Sequence, residues 1–178
     1  MNKNFLVSFV FGTRPEVIKL APVIKVFEND LDIQTRVIFT GQHRQMAREA
    51  MNLFSLKEDI DLDLMLPNQT LEHITCRAID GLSIEFKKNK PSLVILQGDT
   101  STAFCASISS FYNQIPVGHV EAGLRTDNLL DPFPEEMNRR LISQIATLHF
   151  APTKLSKTNL ENSNVQGKIF VTGNTVID

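Results

Sequence analysis

The sequence predicts an α/β protein built on a doubly wound, Rossmann-like parallel sheet. Short apolar runs alternate along the chain with amphipathic stretches of helical length. The first run, Phe5 to Phe11, is rich in strand formers, as in a central strand covered on both faces. Parallel strands need long crossover connections, and a helical stretch follows each apolar run.

The individual elements follow from local signals. Pro15 is suited to the first turn of a helix, and apolar residues recur at helical spacing from Val17 to Phe27, with a kink expected at Pro22. The period-two alternation of Ile60–Leu66 predicts a short strand near a sheet edge. Thr70 is predicted to cap a long helix. The other predicted strands are 36–40, 92–96, 116–120, 147–150 and 168–171, and the other helices are 43–56, 100–112, 135–146 and 154–162.

Composition limits the possible functions. The chain has 178 residues, enough for one well-cored domain, with 42% hydrophobic and 21% charged residues. A net charge of −2 argues against nucleic-acid partners, and no apolar run is long enough to predict a membrane span. The two cysteines, Cys76 and Cys105, lack metal-ligand spacing, so both are predicted to be buried in a reducing compartment. We therefore expect a cytoplasmic protein.

Polar, charged and glycine residues follow the predicted strands, where the carboxyl ends of parallel strands meet. In open α/β sheets, ligands bind beyond this edge. Arg14, His43, Asp99 and Glu121 are all expected there, which ordinary turns would not require. The segments concerned are 12–16, 41–44, 98–101, 121–126, 152–153 and 173–175.

The first of these segments is a candidate anion site. Gly12 and Thr13 precede a helix start, where free backbone N–H groups and the helix dipole attract anions, and Arg14 can grip a phosphate. Lys19 could add a second positive charge. The alternative is a plain turn with a solvated arginine. The segment matches neither the dinucleotide fingerprint nor the P-loop, so neither NAD nor ATP is supported.

Three carboxylates, Asp99, Glu121 and Glu135, are predicted to share the same edge. Crowded carboxylates raise one another's pKa, which suits a general acid or base near neutral pH. The alternatives are local: Asp99 or Thr100 could cap the following helix, and Glu135 could be a first-turn acid.

The four histidines give no metal-binding pattern. His73 is expected at the surface of a helix, and His119 and His149 inside the core. Only His43 follows a strand in a polar loop, where it could have a function.

Six segments together resemble the non-hydrolysing UDP-N-acetylglucosamine 2-epimerases: residues 11–22, 41–46, 98–102, 115–126, 132–139 and 172–178. The resemblance implies two facing Rossmann-like domains of the glycosyltransferase-B type, a homodimer, and no cofactor or metal. It implies that residues 1–171 form the amino-terminal domain and that 172–178 begin the hinge to a second domain absent from this chain. Because half a cleft cannot close over substrate, these residues alone are expected to be inactive.

The resemblance also implies a reaction and its residues. A base removes the C2 proton of UDP-N-acetylglucosamine while UDP leaves C1, and re-addition gives UDP-N-acetylmannosamine, a precursor of bacterial cell-surface polysaccharides. Asp99, Glu121 and Glu135 match the acid–base residues, without an assignment to either face of the sugar. Arg14 matches a residue near the diphosphate, and Lys19 a residue of the substrate site, to which Asp99 and Glu121 also belong.

In bacterial members a second UDP-N-acetylglucosamine acts as an activator. Gln42, His43, Gln45 and Arg77 match positions of that site, although Gly41 stands where alanine is commoner.

Three alternatives remain open at this point. A hydrolysing relative would release UDP and free N-acetylmannosamine through the same elimination. A glycosyltransferase of the same architecture fits the three carboxylates less well. The chain could also be a non-catalytic module for nucleotide-sugar binding or dimerisation.

Overall fold

The structure, a computed structural model, describes residues 5–66 and 68–177. Seven strands alternate with six helices. The strands are β1 (Phe5–Phe11), β2 (Ile33–Phe39), β3 (Ile60–Asp61), β4 (Leu93–Gln97), β5 (Val117–Val120), β6 (Leu148–Ala151) and β7 (Lys168–Val171). The helices are α1 (Arg14–Glu28), α2 (Arg44–Leu53), α3 (Leu71–Lys88), α4 (Ser101–Tyr112), α5 (Glu135–Ile145) and α6 (Lys154–Asn162). A 3-10 turn, Thr175–Ile177, follows β7.

All seven strands lie in one parallel sheet of order β3-β2-β1-β4-β5-β6-β7, which confirms the predicted doubly wound α/β fold. From β1 the chain adds β2 and then β3 on one side of the sheet. It then crosses to the other side of β1 and adds β4, β5, β6 and β7 in turn. The strand order therefore reverses between β1 and β4. In such sheets the loops on either side of the reversal enclose a crevice at the carboxyl ends of the strands.

Two apolar clusters cover the two faces of the sheet. One contains Phe9, Phe11 and Phe39 with the inner faces of α1 and α2. The other packs the inner faces of α3, α4 and α5 against β4 and β5. Because both faces are covered, β4 is buried along its whole length, as a central parallel strand should be.

The predicted strand Ile60–Leu66 was too long. Only Ile60–Asp61 pairs with β2, at the predicted edge position. Asp63 has a positive φ of 45°, which interrupts an extended strand. Leu64 is nevertheless buried in the core. The apolar alternation therefore indicated which side chains are buried, but not how far the strand extends.

The prediction for Cys76 was also wrong. Cys105 is buried, but Cys76 is exposed on the outer side of α3, which buries Ala78, Leu82 and Phe86 instead. Thr70 caps α3 as predicted, its hydroxyl accepting a hydrogen bond from the His73 amide. His73 is exposed in the first turn of α3.

The end of the predicted domain remains a prediction. β7 ends at Val171, the last residue of the predicted domain. Residues 1–4 of the predicted domain and Asp178 of the predicted hinge lie outside the described residues. Within the described part of the chain, no helix has the length and apolar character needed to cross a membrane.

Candidate functional site

Glu121, directly after β5, is held from several directions. One carboxylate oxygen lies 2.5 Å from the Lys19 ammonium and accepts a 2.5 Å hydrogen bond from Gln97. The other accepts a bond of 3.2 Å from Asn174. The backbone of Glu121 has a positive φ of 63°, which is costly for a residue with a side chain. Such strain persists only where its surroundings enforce it, and it occurs most often at functional sites.

Asp99, two residues after β4, carries the second carboxylate. Its Oδ2 lies 3.0 Å from the guanidinium of Arg139 in α5. Burial raises the pKa of Asp99, and the negative charges of Glu135 and Glu121 raise it further, while Arg139 and Lys19 act in the opposite direction. Asp99, Glu121 and Glu135 thus share one electrostatic environment. Loss of contact with water has a larger effect on Asp99 than crowding by like charges.

Asp99 does not cap α4. The Thr100 hydroxyl does so, accepting a 3.0 Å hydrogen bond from the Ala103 amide. Because Thr100 provides the cap, the Asp99 carboxylate remains available for chemistry.

Glu135, the third carboxylate, is the first residue of α5 and lines a cavity of about 230 Å³. Gln42 and His43 line the same cavity, which adjoins the start of α1. The other two predicted activator residues do not line it. Gln45 faces Glu49 on the exposed side of α2, and Arg77 holds the carbonyls of Asp63 and Leu64.

The predicted anion site at the start of α1 needs a correction. The amides of Gly12 and Thr13 are not free, because both donate to Oε2 of Glu16, at 2.9 and 2.7 Å. The other carboxylate oxygen of Glu16 accepts a 2.6 Å bond from the Thr100 hydroxyl. Burial raises the pKa of Glu16, although these hydrogen bonds oppose the rise. A carboxylate of the chain itself therefore occupies the position predicted for an external anion.

Arg14 is exposed and lies beside α2, in a depression that it shares with Ile18, Glu49 and Leu53. Its guanidinium has no hydrogen-bond or ion-pair partner among the described residues. Lys19, by contrast, reaches the carboxylate edge through Glu121. The two predicted substrate-binding cations thus differ, one paired within the chain and the other available to a ligand.

Sequence reasoning missed four residues that support the site: Glu16, Gln97, Arg139 and Asn174. Gln97 gave a usable signal, because it is a polar residue at the end of a fully apolar strand. Arg139 is one helical turn after Glu135, and this spacing places both on the same side of α5. Glu16 had a local signal, because Thr13-x-x-Glu16 has the spacing of a capping box, in which the glutamate accepts the amide of the residue before the helix. Asn174 had none, because its contact with Glu121 joins segments far apart in the chain.

The arrangement can perform acid–base chemistry next to a bound anion. Burial raises the pKa of the Asp99 carboxyl group, which is the direction that general acid–base catalysis requires of a carboxylate. Lys19 and Arg139 provide positive charge beside Glu121 and Asp99, whereas Arg14 faces α2. Among the described residues, no group of three His, Cys, Asp or Glu side chains is arranged to hold a metal ion.

Comparison with known proteins gives consistent matches. The family model for UDP-N-acetylglucosamine 2-epimerase matches residues 25–178. The UDP-N-acetylglucosamine 2-epimerase of Neisseria meningitidis serogroup A is 51% identical over 170 residues, which cover 95% of this chain and 46% of that protein. The chain spans about half the length of the curated relatives it matches.

Solved structures agree with the sequence comparison. The crystal structure of the Neisseria meningitidis epimerase bound to UDP-GlcNAc superposes with a TM-score of 0.92 at 50% identity, covering 97% of this chain and 48% of that one. The epimerase of Methanocaldococcus jannaschii, in complex with UDP-GlcNAc and UDP, gives a TM-score of 0.89 at 34% identity, covering 96% and 47%. Sequence and fold agree, and the chain belongs to the UDP-N-acetylglucosamine 2-epimerase family.

Proposed function

We propose that this chain is the amino-terminal half of an enzyme that interconverts UDP-N-acetylglucosamine and UDP-N-acetylmannosamine. The observation that carries the proposal is the shared environment of Asp99, Glu121 and Glu135, beside the strained backbone of Glu121. The relatives named for this activity, and the UDP-GlcNAc found in two of their structures, support the choice of substrate.

The proposed reaction is an elimination followed by an addition. A carboxylate takes the proton from C2 of the sugar, the C2–H electron pair forms the C1–C2 double bond, and the C1–O bond breaks to release UDP. The sugar is then a glucal. A proton returns to the opposite face of C2, and a β-phosphate oxygen of UDP re-forms the bond to C1, so atoms and charge balance over the cycle.

The two faces of C2 require at least two acid–base groups, and the edge offers three. Asp99 suits a group that alternates between its acid and base forms, because burial raises its pKa towards the working range. The Glu121 carboxylate is held in place by the Lys19 ammonium and by the amides of Gln97 and Asn174. Arg14, without a partner in the described chain, is proposed to bind the diphosphate and to stabilise the negative charge that develops as UDP leaves.

The proposal includes four further features. The enzyme works as a homodimer of two-domain, glycosyltransferase-B type subunits. The cavity beside Gln42 and His43 contributes to a site for an activating second UDP-N-acetylglucosamine, and Gln45 and Arg77, which do not line the cavity, belong to this site by the family resemblance alone. The two unpaired cysteines suit the reducing cytoplasm. The product supplies cell-surface polysaccharide synthesis.

Product analysis tests the proposal. The chain is joined to the carboxyl-terminal half of the Neisseria relative, and the joined protein is supplied with UDP-N-acetylglucosamine. The expected product is UDP-N-acetylmannosamine, whereas UDP with free N-acetylmannosamine would identify the hydrolysing alternative.

The 178 residues alone are expected to give no turnover. Calorimetry with UDP measures whether these residues bind the nucleotide by themselves. Turnover by the half chain would contradict its proposed dependence on a second domain.

A further inference from the structure

We propose that His119 is a positioning residue for Asp99, acting through the backbone carbonyl of Gly98. Its consequence for catalysis rests on the proposed function, in which Asp99 exchanges protons with the substrate. His119 itself touches no reacting atom. It fixes the turn on which the Asp99 carboxylate is carried.

The geometry of the turn explains why it needs such support. His119 lies in β5 beside Leu96 of β4, and it is fully buried. Its Nε2 lies 2.7 Å from the carbonyl oxygen of Gly98, the residue after β4. Gly98 has a positive φ of 72°, so the chain turns sharply there and Asp99 leaves the line of the strand. The imidazole ties this turn to the neighbouring strand.

The bond defines the state of the imidazole. A carbonyl oxygen only accepts hydrogen bonds, so Nε2 must carry the proton and Nδ1 must be the unprotonated nitrogen. Nδ1 is buried and has no hydrogen-bond partner among the described residues. Burial, helped by the smaller effects of His149, Arg125 and Arg139, lowers the pKa of His119 to about 3, although the hydrogen bond to Gly98 opposes the change. His119 is therefore a neutral, fixed donor and takes no part in proton exchange itself.

Two contacts from α5 complete the support. Asn138 donates a 2.9 Å hydrogen bond to the backbone carbonyl of Asp99, and Arg139 pairs with its carboxylate at 3.0 Å. The carbonyl before Asp99, its own carbonyl and its side chain are thus each held by a different residue. Because β5 and α5 hold the turn from two elements, losing one contact loosens it without removing the others.

The chain contains a matched control, His149. It is the cross-strand neighbour of His119 in β6, is equally buried, and also has an unpartnered Nδ1. Its Nε2 lies 2.8 Å from the carbonyl of Gln166, in the segment before β7 and not in the Asp99 turn. Replacing His149 removes the same kind of bond without touching the proposed site.

The test is carbon-13 NMR titration of the Asp99 carboxyl in the isolated chain, without substrate. His119→Leu is expected to lower the pKa of Asp99 towards the ordinary carboxyl value, because a loosened turn lets water reach the carboxylate. His119→Gln should preserve the wild-type titration, since its amide nitrogen can replace the Nε2 donor. His149→Leu should lower the thermal midpoint and leave the titration of Asp99 unchanged.

An unchanged Asp99 titration in His119→Leu, or an equal change in His149→Leu, would overturn the proposal. If His119→Leu does not fold, nitrogen-15 NMR of the wild-type imidazole decides instead. The expected state is the Nε2–H tautomer, without titration between about pH 5 and 8. An Nδ1–H tautomer, or titration in that range, would contradict the positioning role. None of these measurements requires epimerase activity, so a protein that failed the product analysis could still pass them.

Discussion

Lys19 in α1 and Glu121 after β5 form an ion pair of 2.5 Å across 102 residues of sequence. The pair links the first helix to the carboxylate edge, near the reversal of strand order. Both side chains are largely shielded from water, with 21% and 13% of their side-chain surfaces exposed. The ion pair also holds the Glu121 carboxylate, whose own backbone is strained. Both the stability of the chain and the proposed acid–base chemistry therefore depend on this contact.

Replacing Lys19 with methionine should therefore destabilise the chain. The change leaves a shielded carboxylate without its cation, and we expect a loss of about 1–3 kcal/mol in the free energy of unfolding. Lys25→Met is the control, because the Lys25–Glu28 pair in α1 is largely exposed and should be worth less than about 0.5 kcal/mol. Urea denaturation of both variants measures the difference. Equal losses would show that the Lys19–Glu121 pair behaves like a surface pair.

Asp99→Asn should lower the turnover of the two-domain protein by at least about 100-fold, the usual scale for an acid–base group. Helix α4 should stay intact, because Thr100 and not Asp99 caps it, while loss of the ion pair with Arg139 should lower the thermal midpoint modestly. The rate of UDP-N-acetylmannosamine formation measures the effect, with Asp80→Asn on the exposed side of α3 as the control. Near-normal turnover would remove Asp99 from the acid–base set.

Arg14→Ala should weaken UDP binding without loss of stability. Its guanidinium is exposed and has no partner in the described chain, so folding does not depend on it. A charge-assisted contact with phosphate is worth about 1.5–3 kcal/mol, which corresponds to roughly 10- to 100-fold in affinity. Calorimetry with UDP on the two-domain protein measures this.

Arg48→Ala provides the opposite control for Arg14. Arg48 pairs with Glu58 and Asp61 and lies over the Phe39 ring, so its loss should lower stability and leave UDP affinity unchanged. A stability loss in Arg14→Ala would instead indicate a structural role for that residue.

Glu16 should make stability depend on pH. Because its pKa is higher in the folded chain than the ordinary value of 4.5, the folded state binds the proton more tightly than the unfolded state. Its contribution to stability is thus complete below about pH 4.5 and is lost as pH rises through the folded-state pKa. Urea denaturation of the wild type and Glu16→Gln, at several values between about pH 4 and 8, isolates this effect. A stability difference that stays constant with pH would contradict it.

Much of the fold could be predicted from local sequence alone. Periodicity located every strand and helix, because each element must bury one side or both faces, although it made β3 five residues too long. β1 and β7 match the predicted runs fully. The carboxyl ends of parallel strands share one edge, so Asp99 and Glu121 could be placed together before any coordinates. The family likewise followed from motifs in the chain itself.

Only the tertiary structure decided how these residues are paired and shielded. The sequence indicated a free anion site at Gly12 and Thr13, but the Glu16 carboxylate, one turn along α1, accepts both amides, and folding adds the hydrogen bond from Thr100 after β4. The Lys19–Glu121 pair and the tie from His119 to Gly98 also join distant segments. Burial and long-range hydrogen bonds depend on the packing of several elements at once, whereas propensity and periodicity act over a few residues. For that reason the sequence determined which groups reach the edge, and only packing decided which of them are held, which are neutral and which remain available.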